Sequence, residues 1–552
     1  MSLHLFLPIK LKEQIMNAEE NISFMRLMNI GLIRKNIIKN IKSCSDIGNL
    51  AKTCHKMKFL IQNDKIRKEI IWYKDVQRMY IKNKEDILED QQVSELDDIE
   101  FRMQYHSENT LSDINRCDDE LINEEGIICI RVHNMVQNIE EKDLFYKKIV
   151  EEINLNCHTR KDGKILDFLV IYNDNNYMTL PILSLMYHQN ITCIELLINV
   201  FLDDPCNFNQ LNKNIFEGFP NFHKLLVWGT INEYKYNKLE NNTTIIEYIL
   251  CELSKRKNPR IVLLSTYDSH HVLIKYLNLF FRIGSKYGVK VIYKVVNIFP
   301  LTNEDYDSPY PIEECNYFSP ILNNTTCIFN RILTCRNFYF TMSNLQSFSN
   351  LQKLVLNFNF FDIGKGLQRM ERLYSPILSL KSCKNLKILT LAFDKYINQK
   401  IGLKVQMFSD NIKYLASIMP PTVERLDINY GFTLTKDITE VISQYMPNIK
   451  ILQVRFISNI DNDCLSVFKN LKVFIYDQYY AISIPETVKI VVIKFFKNQR
   501  ASDTEVFNQN TMKSYMEKFC VSLQSTKNDF IFFNDITSWD RYKHIIQDPN
   551  RT

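Results

Sequence analysis

At 552 residues, 45% of them hydrophobic, the chain is long enough for several domains or one long array and has the apolar content of a folded protein. A net charge of +5 is too small for a nucleic-acid binder, which concentrates a larger excess of Lys and Arg on one face, so no nucleic-acid partner is expected. The fourteen cysteines include no Cys-x-x-Cys, which argues against a zinc module or a thioredoxin-like redox site and fits a reducing compartment.

Residues 1–26 read as a short lead-in. The stretch LHLFLPI is too short to span a membrane and lacks the basic region and small-residue cleavage site of a secretory signal. Other apolar runs, such as LLINVFL and IVLL, have buried-core lengths. The expectation is a protein without membrane attachment, in the cytoplasm or nucleus.

From Leu27 to Trp72 the chain is cationic and patterned as helices. Ile30, Ile33, Ile37, Ile38 and Ile41 follow the spacing of one helix face. Ser45 and Asp46 offer side-chain oxygens to the free N–H groups of a new first turn. Ile47, Leu50, Ala51, Cys54, Met57, Phe59, Leu60 and Ile61 then form a second apolar set, and Ile66, Ile70, Ile71 and Trp72 a short third. A segment of this size has little interior of its own, so its apolar surface needs the rest of the chain or a partner. Its lysines and arginines, with no interleaved aromatics for base stacking, read as a solvated face. The run WYKDVQRMYIKNKEDIL is expected to continue as helix. From Glu85 to Glu125 Asp and Glu dominate, and residues 81–125 read as a solvated acidic linker.

Beyond Gly126 strand-length apolar runs appear: GIICIRV, KILDFLVIY, FHKLLVW, RIVLLSTY and VKVIYKVVNIF. Later they sharpen into a repeated pattern. Its copies are Leu351-x-x-Leu354-x-Leu356, Leu386-x-x-Leu389-x-Leu391, Val423-x-x-Leu426-x-Ile428, Ile449-x-x-Leu452-x-Val454, Leu471-x-x-Phe474-x-Tyr476 and Val488-x-x-Val491-x-Ile493. Residues two apart on a strand share a face, so each pair enters one core. Asn350, Asn385, Asn448 and Asn470 precede the first apolar residue of four copies, and TKDITEVISQYMPN reads as a helix leading into a strand. Weaker copies start at Leu166 and Phe222. Unrelated buried strands of an ordinary α/β domain would give a similar but less regular pattern.

These motifs carry two resemblances. SDIGNLAKTCHKMKFLI followed by NDKIRKEIIW resembles an F-box, although Met28-Asn29-Ile30 stands where that pattern opens with Leu-Pro, and Met57 near its usual aromatic. The six L-x-x-L-x-L copies resemble divergent leucine-rich repeats. The fold class expected is α/β: a short N-terminal helical F-box-like segment followed by an irregular leucine-rich-repeat solenoid with a parallel sheet on the concave face. The division expected is lead-in 1–26, F-box-like segment 27–80, acidic linker 81–125, repeat region 126–500 (clearest over 345–495) and C-terminal cap and tail 501–552.

Recognisable reaction chemistry is missing. Asp362-Ile363-Gly364-Lys365-Gly366 lacks the first Gly and the Ser/Thr of a phosphate loop. His270-His271, read as neighbours on a strand, would point to opposite faces and have only Asp268 nearby as a further ligand. Cys54-His55 and Cys157-His158 show no orienting group. No catalytic, metal or cofactor residue is assigned, and the chain is not expected to be an enzyme.

The resemblance implies a substrate receptor of SCF-type ubiquitin ligases. Its F-box docks on a Skp-type adaptor joined to a cullin complex, its repeats bind a protein target, and a separate E2 carries the chemistry. Adaptor contact then falls to Ile30, Ile33, Ile37, Ile38, Leu50, Cys54, Met57 and Leu60. Target contact falls to strand positions expected to be exposed: Lys353, Val355, Lys387, Ile388, Arg425, Asp427, Lys450 and Gln453. The competing expectation is a leucine-rich-repeat scaffold not coupled to ubiquitin transfer.

Overall fold

The computed structural model describes residues 75–83, 99–106, 126–132, 142–157, 168–173, 179–202, 214–267, 270–299, 319–359, 375–393, 401–430, 433–457, 459–477, 482–494, 521–524 and 530–534, with isolated positions near 27–33, 363–367, 514–519 and 538–542. It opens with strands β1 (Asp75–Asn83), β2 (Ile99–His106) and β3 (Gly126–Val132). Then follow α1 (Lys142–Cys157), β4 (Phe168–Asn173), α2 (Thr179–Leu185) and β5 (Cys193–Leu197). The next units are β6 (Lys224–Ile231), α3 (Glu233–Asn241), α4 (Thr244–Ser254), β7 (Arg260–Tyr267), α5 (His270–Lys286) and β8 (Lys290–Val296). After them come α6 (Ser319–Asn324), β9 (Thr325–Ile332), α7 (Cys335–Leu345), β10 (Lys353–Phe358), β11 (Ile388–Phe393), α8 (Ile401–Ile418) and β12 (Arg425–Asn429). The chain continues through β13 (Thr433–Leu434), α9 (Lys436–Tyr445), β14 (Ile451–Arg455), β15 (Asn459–Ile460), β16 (Val473–Tyr476) and β17 (Ile490–Ile493). The last two strands are β18 (Val521–Gln524) and β19 (Phe530–Phe533).

This is a mixed α/β protein built on one long, mostly parallel sheet of 17 strands. Every pairing from β1 on β3 through β16 on β17 is parallel, and strands join in chain order, with β13 and β15 set aside as their own short pair. Antiparallel strands finish both ends: β2 lies on β1, and β19 on β17 with β18 beyond it. Among the described residues the sheet is open and forms no barrel. Parallel neighbours need a crossover between them, which helices such as α4, α5, α7, α8 and α9 supply.

Periodicity dictates which residues meet in the core. Leu354, Leu389, Leu426, Leu452, Phe474 and Val491 are register partners on successive strands, as are Leu356, Leu391, Ile428, Val454, Tyr476 and Ile493. All twelve belong to one buried cluster that continues back through Ile328, Val295, Leu263 and Val227. Burying such a side chain contributes roughly 1.5–3 kcal/mol. Asn330 stands on the same face, where its amide Nδ2 donates to Thr341 Oγ1 of α7 at 2.9 Å while its buried Oδ1 has no hydrogen-bond partner among the described residues.

The asparagines before the strands join successive turns. Asn350 Nδ2 donates to the Asn323 carbonyl (2.7 Å), Asn385 to Ser349 (2.9 Å), Asn448 to Pro421 (2.9 Å) and Asn470 to Pro447 (3.0 Å). Helix starts are capped locally: Asn232, Thr334 and Thr435 each accept from a backbone N–H of the first turn of α3, α7 and α9. The helix read in TKDITEVISQYMPN is α9.

Three expectations change. The run after Trp72 is a strand, β1, over Asp75–Asn83 rather than continued helix. The acidic stretch contains β2, whose alternating IEFRMQYH pairs along β1, so local β-pattern wins there over the bulk charge. His270 and His271 open helix α5 instead of lying on a strand.

Candidate functional site

The residues between the core positions fall on the sheet's opposite face. On β11, β12, β14, β16 and β17 these are Ile388 and Thr390, Arg425 and Asp427, Ile451 and Gln453, Val473 and Ile475, and Ile490 and Val492. This face is buried as well. Polar groups set into it must therefore find partners there, because an unpaired buried group carries its full desolvation penalty.

They form a seam. Arg425 Nε donates to Asp427 Oδ1 at 3.0 Å, and Thr390 Oγ1 donates to Asp427 Oδ2 at 3.4 Å. Gln453, with its amide oxygen turned to Arg455, accepts from Nε at 2.6 Å and Nη2 at 2.9 Å. Beyond Arg455, Phe456 takes left-handed backbone (φ 53°), as Tyr430 does one strand earlier (φ 60°). Their rings stack with centroids 4.5 Å apart. The Phe456 N–H donates to Asp477 Oδ2 at 2.7 Å. Burial drives the Asp477 carboxyl up to about 6, against the pull of that N–H and of the Arg455 and Lys494 charges.

At the strand entrances lies a second polar group. Glu424 accepts from Lys450 Nζ at 2.6 Å and pairs with Lys387 Nζ at 3.3 Å, so one carboxylate joins three consecutive turns. Burial pushes the Glu424 carboxyl up, but the hydrogen bonds and charges of Lys450 and Lys387 outweigh it and hold the group below its ordinary range. Exposed pairs of this kind contribute about 0–1 kcal/mol.

The residues expected to meet a target separate accordingly. Val355, Ile388, Arg425, Asp427 and Gln453 are buried, which corrects the expectation of exposure. Gln453 is only 2% exposed. Lys353 and Lys450 are half-buried and Lys387 is exposed. Lys387 and Lys450 stand one residue before their strands, out of register with the other six, because the first x of the motif precedes the pleat. Strand alternation alone finds Thr390, the partner of Val355 and Asp427. Arg455 closes β14 on the face of Ile451 and Gln453, so alternation finds it too; Asp477 and Lys494 follow strand ends and Glu424 precedes one, outside the strands themselves. Of the adaptor candidates, Ile30 is exposed and Ile33 half-buried, while Leu27 and Met28 beside them are buried. Ile37, Ile38, Leu50, Cys54, Met57 and Leu60 lie outside the described residues.

The seam and the rim offer donors, acceptors and both signs of charge, held by one another: the chemistry of recognition and of register. Among the described residues no group of three or more metal-binding side chains occurs, and no helix is long and apolar enough to cross a membrane.

Fold and site together define a long parallel-sheet α/β protein with a polar seam on its second face. The chain belongs to the family described as Domain of unknown function (DUF8346), which matches residues 68–546. No curated protein matches it. A solved structure, the crystal structure of the Rad7 and Elc1 complex in yeast, is similar at 12% identity and a TM-score of 0.29, covering 66% of this chain and 94% of that one.

Proposed function

We propose that the chain is a non-catalytic substrate receptor of an SCF-type ubiquitin ligase. In this reading the stacked strands are divergent leucine-rich repeats forming a solenoid, and the segment 27–80 is an F-box that docks on a Skp-type adaptor and so on a cullin complex. The observation that supports it most is the register: six L-x-x-L-x-L copies place equivalent residues side by side on six successive parallel strands. A one-sided repeat needs its neighbours for stability, and turn asparagines that bond from one turn to the next fit such a stack. The F-box half rests on SDIGNLAKTCHKMKFLI and NDKIRKEIIW.

The chain then supplies affinity and orientation, holding a target at high effective concentration near an E2. Target contact belongs to the accessible rim around Lys387, Glu424 and Lys450 rather than to the buried seam. The working compartment is the cytoplasm or nucleus, where the ligase partners are.

The test is capture of a Skp-type adaptor by the purified chain, beside a paired Ile37→Asp, Leu50→Asp variant shown by circular dichroism to keep its folded repeats. Capture by the parent and loss in the variant are expected. A folded parent that captures no adaptor overturns the ligase reading and leaves a leucine-rich-repeat scaffold.

A further inference from the structure

A row of like charge begins three neighbouring strands. Cys193, Lys224, Arg260 and Lys290 are register partners on β5, β6, β7 and β8, so three consecutive strands start with a cation on one face. Adjacent strands lie about 4.8 Å apart, and like charges set side by side destabilise a sheet.

Beside this row is an open groove of about 860 Å³. It is lined by the turns that lead into the strands: Thr192, then Pro220 to His223, then Lys257 to Arg260, then Gly288 and Lys290. Four of these side chains are Lys, Arg or His, and none is Asp or Glu. Arg260 Nε is buried without a hydrogen-bond partner, and Lys257 and Lys290 form no ion pair among the described residues. This is a local property, because Lys255 and Lys286 nearby pair with Glu252 at 2.5 Å and Glu247 at 2.6 Å. His223 Nδ1 lies 3.0 Å from the Asn221 carbonyl, which only accepts, so Nδ1 carries the proton, and Nε2 can donate to an anion when the ring is doubly protonated. Gly288, with φ of 69°, has open space where a Cβ would stand, which keeps the mouth clear.

We infer that this groove binds a compact, multiply charged oxyanion: the phosphate or pyrophosphate group of a phosphorylated ligand. A guanidinium fork matches such an anion in geometry, and flanking ammonium groups add charge without imposing direction. The ligand supplies negative charge to a lining that has no carboxylate of its own. The site lies on β5–β8, apart from the seam on β11–β17, and does not depend on the receptor reading.

The experiment is calorimetric titration of the full chain with inorganic pyrophosphate at low ionic strength. The parent should bind saturably, one anion per chain. Arg260→Gln with Lys290→Gln should weaken binding by at least about tenfold. Lys257→Gln, an exposed change that leaves the strands intact, should weaken it less but measurably. Lys238→Gln with Lys469→Gln, both exposed and outside the groove, should leave it unchanged. Pyrophosphate should raise the melting midpoint of the parent and not of the Arg260/Lys290 variant. No saturable binding by the parent, or equal loss in the Lys238/Lys469 pair, overturns the assignment. Co-sedimentation with phosphatidylcholine vesicles containing phosphatidic acid, competed by pyrophosphate, separates the sources. Pelleting puts the phosphate on a lipid, and its absence alongside soluble binding puts it on a free ligand.

Discussion

The carboxyl of Asp477 stands at the end of β16 on the sheet's second buried face, and its chemistry follows from that position. An aspartate in an unfolded chain titrates near pH 3.9, whereas burial brings this one to about 6 in the fold. Between those values the folded chain holds a proton that the unfolded chain has released. Stability contributed by this group therefore falls as pH rises from about 4 to about 6, and stays level above. The gap corresponds to about 2–3 kcal/mol. Asp477→Asn removes the ionisation and keeps an acceptor for the Phe456 N–H. The variant should match the parent near pH 4 and exceed it by about 1–2 kcal/mol at pH 7.5, the loss of a charge beside Arg455 and Lys494 taking the remainder. Urea denaturation at both pH values measures this. Glu247, Glu424 and Asp463 are held below their ordinary range and shift stability in the opposite sense, but equally in both proteins, so they cancel in the difference. Strand alternation makes Arg425, Asp427 and Gln453 legible as one face of the sheet. It does not reveal the bond of Asp477 to Phe456, which a left-handed residue after β14 makes by aiming its N–H at the end of the neighbouring strand β16.

Single elements begin and end as their own residues dictate. The caps at Asn232, Thr334 and Thr435 are short polar side chains satisfying the first free N–H groups of a helix, a rule that operates within four residues. The turn asparagines act over a longer range, each reaching the carbonyl of the previous turn 23 to 36 positions away. Their side chains are exposed at the turns, so each bond contributes about 0.5–1.5 kcal/mol. Asn448→Ala, which loses the donor to Pro421, should lower stability by that amount. Asn448→Asp should lower it at least as much, because it sets a carboxylate against the same carbonyl. Thermal unfolding of the two variants beside the parent tests the pair. Equal stability of all three would make the asparagines incidental to turn shape.

At the scale of the whole molecule, the decisive feature is that both faces of the sheet are buried over its C-terminal strands. Ile475 and Val492 on the second face are as buried as Leu452 and Val491 on the first. Trp539 is fully buried and stacks on Phe533 of β19 with centroids 5.0 Å apart, so it packs against the C-terminal end of the sheet. Ile475→Asn should destabilise by roughly 2–4 kcal/mol, about as much as Leu452→Asn, since each leaves a cavity and an unpaired amide. The midpoints of chemical denaturation report it. Tolerance of Ile475→Asn with sensitivity of Leu452→Asn would mean that the second face is an accessible surface.

What the sequence determined by itself is local and periodic: most of the strands from Gly126 onward, though not β5 or β9, the pairs of apolar residues that share a core, the asparagine turns and the helix before Ile449. Side-chain alternation and 3.6-residue spacing are properties of the backbone, and they show in one dimension. What only the tertiary structure decided is how far the sheet extends, that β1 joins it where helix was expected and β2 from a segment dominated by acidic residues, and that the second face is covered. It also decided that Lys224, Arg260 and Lys290, 30 or more positions apart, begin neighbouring strands beside a groove with no carboxylate in its lining. Burial and charge proximity depend on which strands become neighbours, and that is a property of the assembled sheet rather than of any one stretch of chain.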